Sequence, residues 1–225
     1  MVFWEGWDRK QPSFFYQKII KLTPAQKDQD HIATLIYSNP KIPDRTQSIL
    51  NNQPEKAASS LEQSARILEA GGASFIVIPC NTAHFWIDQI RQAVTIPVLD
   101  MIEETALYLI QDIGLTKVGL LATLGTIRAN VYQEKCEKLS LEIITPTDEI
   151  QQQVMNVILE IKKGNKGETL QEQIVRIRES FQEKGIQKLI LGCTELPLLF
   201  DKQTEWAIDP MDVLAKAAVK KALNL

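Results

Sequence analysis

The chain is poor in the residues that bind metals or cross-link backbones. It has two histidines, His31 and His84, and three cysteines, Cys80, Cys136 and Cys193. Three cysteines spread over 225 residues make no disulfide framework. Two histidines and well-separated cysteines give no metal-ligand spacing. No apolar run is long enough to span a bilayer, and the N-terminus has no basic region followed by an apolar stretch. Neither a membrane segment nor a signal peptide is therefore expected. No Lys/Arg cluster stands out, and the net charge is only -3, so nucleic acid is not an expected partner. A reducing cytoplasm is the simplest compartment. Low-complexity tracts and long linkers are also missing. What remains is 44% hydrophobic and 24% charged, the balance of a globular chain with a substantial core. The length suits one large domain or two small ones.

Short apolar runs alternate with longer amphipathic ones. The runs predict strands over Ala33–Tyr37, Ser74–Ile78, Pro97–Leu99, Lys117–Ala122, Leu141–Ile144, Lys188–Leu191 and Trp206–Ile208. Helical periodicity covers Phe14–Leu22, Pro54–Ala70, Thr82–Gln92, Ile102–Asp112, Thr126–Leu139, Ile150–Lys163, Thr169–Lys184 and Met211–Leu223. Such alternation implies an α/β fold, with parallel sheets flanked by helices and right-handed crossovers. A boundary falls near Pro97–Met101. The expected division is a first α/β domain of residues 1–98 plus 209–225, carrying Arg45 and Cys80. The second comprises residues 99–208 and carries Thr126, Lys162 and Cys193.

Two of the cysteines occupy matched settings. Cys80 ends Gly72-Ala-Ser-Phe-Ile-Val-Ile-Pro-Cys80 and is followed by Asn-Thr. Cys193 ends Gly185-Ile-Gln-Lys-Leu-Ile-Leu-Gly-Cys193 and is followed by Thr-Glu. Each lies eight residues after a glycine, behind a charged helical stretch. One unit is used twice: helix, Gly cap, buried strand, polar Cys-Thr turn. Two such units can put one thiol on each side of a cleft at the strand carboxyl ends. Opposed thiols suit taking a proton from one face of a carbon and returning one to the other.

Several further stretches resemble the aspartate racemase branch of the aspartate/glutamate racemases. They are Tyr-Ser-Asn-Pro-Lys-Ile-Pro-Asp-Arg45-Thr, Pro-Cys80-Asn-Thr-Ala-His, Met-Ile-Glu-Glu-Thr, Leu-Leu-Ala-Thr-Leu-Gly-Thr126, Ile-Lys162-Lys-Gly, Gly-Cys193-Thr-Glu and Asp-Pro-Met-Asp212. The resemblance runs from about Phe14 to the C-terminus. It implies two pseudo-symmetric Rossmann-like domains with the active site in the cleft between them, and commonly a homodimer. It also implies interconversion of L- and D-aspartate without pyridoxal phosphate or any other cofactor. In that family the positions matching Arg45 and Lys162 hold the distal carboxylate of aspartate.

The chemistry gives each candidate a task. Breaking a Cα–H bond needs a base on one face and an acid on the other, so Cys80 and Cys193 are the expected catalytic pair, one thiolate and one thiol. A strand-to-helix turn would favour the thiolate through backbone N–H groups. With no cofactor as electron sink, donors to the α-carboxylate must stabilise the carbanion. Asn81, Thr82, Thr126 and Thr194 are the candidates. Arg45 offers a bidentate fork and Lys162 a point charge, although the adjacent Lys163 could equally face the cleft. Glu195 either accepts a hydrogen bond in the site or starts a helix. His84 more simply caps or packs than assists Cys80. His31 reads as structural, and Cys136 as a helix-surface or half-buried residue.

Glutamate or a broader amino-acid range is the nearest alternative substrate. A ligand-binding protein without turnover is a different class.

The N-terminus departs from the family, which opens with a strand and a glycine-rich turn such as Gly-Ile-Leu-Gly-Gly-Met-Gly-Pro-Gln-Ala-Thr. This chain opens Met1-Val-Phe-Trp-Glu-Gly-Trp-Asp-Arg-Lys-Gln-Pro12. Codons for that opening exist which, with two bases dropped, read the family's turn. The single codons of Trp4 and Trp7 constrain that match. Residues 1–12 thus read as an out-of-frame version of the first strand and loop. Without glycines for close backbone approach, and with Glu5, Trp7 and Asp8 added near a dicarboxylate site, activity should be much reduced. Val2–Trp4 could still pair as a strand.

Overall fold

The longest apolar runs show no polar alternation because both of their faces are covered. Strand β4 (Lys117–Ala122) is buried from Val118 onward, and β6 (Leu189–Gly192) is buried throughout. That is the condition of a parallel sheet between helices. The computed structural model describes residues 2–5, 11–200 and 204–224.

Two sheets form among the described residues, and every pairing in them is parallel. In the first, β1 (Val2–Glu5) lies between β2 (Leu35–Ser38) and β3 (Ile76–Val77). Val2 registers with Leu35 on one side and Ile76 on the other. The second has the order β5-β4-β6-β7, with β5 at Glu142–Ile144 and β7 at Ala207–Ile208. The altered N-terminal sequence thus still supplies a central strand. The expected glycine turn falls largely on residues 6–10, which lie outside the described residues.

Helices cover both faces of each sheet, and strand alternation sorts the cores. Ile76 and Ile78 pack with Leu61, Ala65 and Leu68 of α3 (Pro54–Ala70) and Ile87 and Ile90 of α4 (Ile87–Ala93). Their neighbours Phe75 and Val77 face Phe15 and Ile19 of α1 (Gln11–Leu22) and Met211, Leu214 and Ala218 of α10 (Pro210–Leu223). In the second sheet Leu121, Leu189 and Leu191 meet α8 (Asp148–Lys162) and α9 (Glu168–Gln182). Leu120, Ala122 and Ile190 turn the other way, toward α5 (Met101–Leu107) and Val213 of α10. Helix α10 therefore enters cores on both sheets. Lys18 of α1 also ties it down, pairing with Asp209 at 3.0 Å and with Asp212.

Local signals explain most element ends. Helix α3 has Pro54 in its first turn and ends at Ala70, as its pattern predicts. Gly72 and Gly185, the glycines of the two matched units, have φ of 87° and 75°. They take the left-handed backbone that ends a helix without a Cβ penalty.

Four expectations need correction. The single helix over Thr126–Leu139 is two, α6 (Leu124–Arg128) and α7 (Gln133–Lys138), parted at Asn130 with φ 50°. The stretch Thr82–Gln92 begins as a 3-10 turn over Thr82–Trp86 before α4. Pro97–Leu99 forms only an isolated bridge from Val98 to Ile76. The stretch 45–50, for which no helix is expected, forms a short helix α2 (Arg45–Leu50) capped by Asp44, whose carboxylate accepts from the Gln47 N–H at 2.7 Å. Among the described residues no helix is long and apolar enough to cross a membrane.

Candidate active site

Cys80 and Cys193 line one cavity of about 420 Å³. It opens beyond the carboxyl ends of β3, β4 and β6, where a parallel α/β sheet leaves a crevice. One wall carries Asp44, Arg45, Thr46 and Gln47 from α2 and its cap, with Asn81 and Thr82 after Cys80. The other carries Thr123, Leu159, Lys162, Lys163, Thr194 and Glu195. Helices α2 and α6 meet closely beside it. A Cβ on Gly125 would stand 2.8 Å from the Thr46 Cα, so only glycine permits this approach.

The two thiols sit in different surroundings. Cys80 is partly exposed, whereas Cys193 is buried and donates to Glu195 Oε2 at 2.8 Å. Burial first, and then the Glu195 carboxylate, push the Cys193 thiol well above its ordinary range despite Lys162. Cys193 is therefore held as a thiol. This differs from the expected thiolate-favouring helix start, because Cys193 is followed by Glu195 and only a 3-10 turn, Leu196–Leu199. Such a turn provides little dipole to oppose the carboxylate.

Lys162, not Lys163, joins the thiols. Its Nζ lies 3.6 Å from Glu195 Oε1, whereas Lys163 is drawn back to Glu160 at 2.6 Å. Burial lowers the Lys162 pKa, but Glu195, Cys193, Asp44 and Cys80 outweigh it, and the net shift is upward. The cavity thus keeps an ammonium beside both sulfurs. Glu195, which the sequence left between an acceptor and a helix start, is an acceptor: from Cys193, and from the Thr194 hydroxyl at 3.3 Å. Arg45 lines the same cavity, with Nη1 donating to the Pro43 carbonyl at 3.2 Å.

Three hydroxyls meet at the floor. Thr82 Oγ1 stands 2.9 Å from that of Thr126 and 3.1 Å from that of Thr123, and the last two are 3.1 Å apart. Thr126 is fully buried behind the others instead of lining the cavity. Thr123, which sequence reasoning missed, takes the lining place. Its signal was available, since a Thr directly after a buried strand is a helix N-cap, and its side chain accepts from the Thr126 N–H. Asn81 is buried on the wall, and its Nδ2 has no hydrogen-bond partner among the described residues.

His84 does not enter the cavity. Its Nδ1 lies 2.9 Å from the Cys80 carbonyl, and its Nε2 accepts from the Met101 N–H at 3.0 Å. Full burial drives its pKa down to about 3, so the ring is neutral with the proton on Nδ1. It braces the Cys80 backbone, the packing role expected. Cys136 on α7 is not at the helix surface or half-buried as expected but fully buried in the core beside Leu120 and Ile190, its thiol pushed up to about 12 chiefly by burial. Among the described residues no group of three or more His, Cys, Asp or Glu side chains is gathered so as to hold a metal ion.

A family model described as Asp/Glu/Hydantoin racemase matches residues 13–218. A broad specificity amino-acid racemase of Bacillus subtilis (strain 168) is 32% identical over 226 residues, covering 97% of this chain and 96% of its own. The solved aspartate racemase of Picrophilus torridus superposes with a TM-score of 0.83 at 28% identity, over 99% of this chain and 93% of that one. An aspartate racemase homologue from Pyrococcus horikoshii OT3 gives a TM-score of 0.79 at 27% identity, over 99% and 98%.

Proposed function

This chain belongs to the Asp/Glu/hydantoin racemase family, and from that premise we propose that it interconverts L- and D-aspartate by proton transfer between two cysteines and the substrate Cα. The observation that carries the reading is the shared cavity, lined by both thiols together with Arg45 and Lys162. In this scheme the Cys80 thiolate takes the α-proton from one face and becomes a thiol. The Cys193 thiol delivers its proton to the opposite face and is left as a thiolate. The Lys162 ammonium stands by whichever sulfur carries the charge, and Glu195 keeps the Cys193 proton in place at rest. Between the two transfers the electron pair spreads onto the α-carboxylate. There Asn81 Nδ2, which has no partner among the described residues, and the Thr82, Thr123 and Thr194 groups supply donors, with Thr126 buttressing them. Arg45 and Lys162 receive the side-chain carboxylate.

A second reading, racemisation of a wider amino-acid set, has its own support. Lys162 already pairs with Glu195, and the relative from Bacillus subtilis is named a broad specificity racemase. In either reading the division into domains of residues 1–98 plus 209–225 and 99–208, the homodimer and independence from pyridoxal phosphate belong to the proposal.

The test is α-proton exchange followed by NMR in D2O, with L-aspartate and then L-glutamate, alongside chiral analysis. Exchange with formation of the D-isomer, lost in Cys80→Ala and Cys193→Ala, is expected. Silence from the chain even with a restored glycine turn would sink the racemase reading. Faster turnover of neutral amino acids than of aspartate would favour the wider set.

A further inference from the structure

We infer that Tyr132 is a positioning residue that fixes the side-chain amide of Asn81, so that Oδ1 is held by the phenol and the Nδ2 donors stay unspent, buried beside the cavity wall. The inference rests on the racemase reading for what those donors receive. It stands on geometry for the orientation itself.

An asparagine amide has two orientations of nearly the same shape, and only its partners choose between them. Tyr132 is fully buried, and its hydroxyl lies 2.6 Å from Asn81 Oδ1. A phenol in a dry site must donate its proton, and Asn81 Oδ1 takes it. Turning the amide over would set Nδ2 against that hydroxyl and strand the phenol proton. It would also aim Oδ1 lone pairs at an incoming carboxylate. Burial first, then Cys136 and Asp209, lift the Tyr132 pKa well above the usual phenol value, so the donor persists at every working pH.

The link crosses the site. Asn81 follows Cys80 on the first-sheet side, while Tyr132 lies between α6 and α7 on the second. The left-handed Asn130 that parts those helices is followed by Val131 and Tyr132, both buried. Tyr132 itself touches no substrate space. What it controls is a cavity-wall amide whose Nδ2 has no hydrogen-bond partner among the described residues.

The test uses Tyr132→Phe, Asn81→Ala and the double variant in the full chain. Tyr132→Phe should lower kcat/KM for racemisation roughly tenfold or more, the usual scale for a buried bond left half made. Asn81→Ala should lose at least as much, and the double variant should be no worse than Asn81→Ala alone. Losses that multiply, or a Tyr132→Phe enzyme within twofold of the parent, would overturn the inference. Asn81→Asp guards against a folding artefact. It keeps an oxygen for the phenol but removes the donors, and should fold normally with activity down about a hundredfold or more; unchanged activity there counts against the inference.

A ligand-free readout separates this inference from the racemase reading. With 15N-labelled asparagine, the Asn81 Nδ2 proton pair should give sharp signals, protected from solvent exchange, whose shifts move and whose protection falls in Tyr132→Phe. Unchanged signals overturn the positioning role even if no amino acid is ever turned over. Failure to exchange any α-proton, in the parent and in the chain with the glycine turn restored, sinks the racemase reading alone.

Discussion

Replacing either cavity cysteine by alanine removes one of the two proposed proton carriers, so Cys80→Ala and Cys193→Ala should each cut racemisation by at least ~100-fold, the usual scale for general acid–base groups. Chiral chromatography would read the loss, with circular dichroism showing an intact fold. The adjacent lysines give a sharper comparison. Lys162→Ala should raise KM for aspartate about tenfold or more, because that ammonium lies with Glu195 and the thiols, whereas Lys163→Ala should do much less. Equal effects would remove Lys162 from its proposed place.

His84 makes a pH prediction. Its folded pKa of about 3 lies below the free value of 6.5. Its stabilising contribution is therefore full above pH 6.5 and fades as pH falls toward 3, when the unfolded ring takes a proton that the folded ring refuses. His84→Gln should cost about 1–3 kcal/mol at pH 8, from two buried hydrogen bonds. That gap should narrow toward pH 4 in denaturant titrations. A constant gap would mean the ring is not held neutral. At this scale the thiol pair was legible in the sequence, because the two cysteines repeat one context. The choice between Lys162 and Lys163 was not. Neighbours on a helix point about 100° apart, and only the packing of α8 on β4 and β6 decides that Lys162 reaches Glu195 while Lys163 turns back to Glu160.

Among elements, the contact of α2 with α6 bears most directly on activity. Gly125→Ala would press a methyl on the Thr46 backbone, at a cost of about 1–3 kcal/mol for overpacking. Arg45 sits one residue from Thr46, so catalysis should fall with stability. Thermal unfolding and kinetics on the same preparation would show both, and an unchanged midpoint would mean α2 simply rides outward. The N-terminal strand offers a second experiment. Restoring the glycine-rich turn over residues 1–12 should raise turnover clearly above that of the chain as it stands. Equal rates would mean the altered opening costs nothing.

Elements with strong internal signals were readable. Helix α3 has its apolar stripe, Pro54 in its first turn and Gly72 beyond its end, and β4 is one unbroken apolar run. Helix α2 was not, since six residues with only Ile49 and Leu50 apolar carry no periodicity, and its Asp44 cap looks the same in any turn. The break at Asn130 was also hidden, because Asn enters left-handed backbone only where packing rewards it.

For the molecule as a whole, α10 is the linchpin. Met211, Leu214, Ala215 and Ala218 fill the core beneath the first sheet, while Val213 joins the core of the second. Removing residues 210–225 should leave no cooperatively folded protein, and the full chain should unfold in a single calorimetric transition. Two separate transitions would mean that the sheets fold independently and that α10 serves only one. Sequence alone determined the α/β class and the duplicated cysteine unit, because strand and helix periods, caps and apolar runs are local properties of a chain. Only the tertiary structure decided that Cys193 is the buried thiol beside Glu195, that Thr123 replaces Thr126 on the cavity wall, and that Tyr132 reaches Asn81. Those outcomes depend on burial and on partners distant in sequence, and charge state and side-chain direction are set by both.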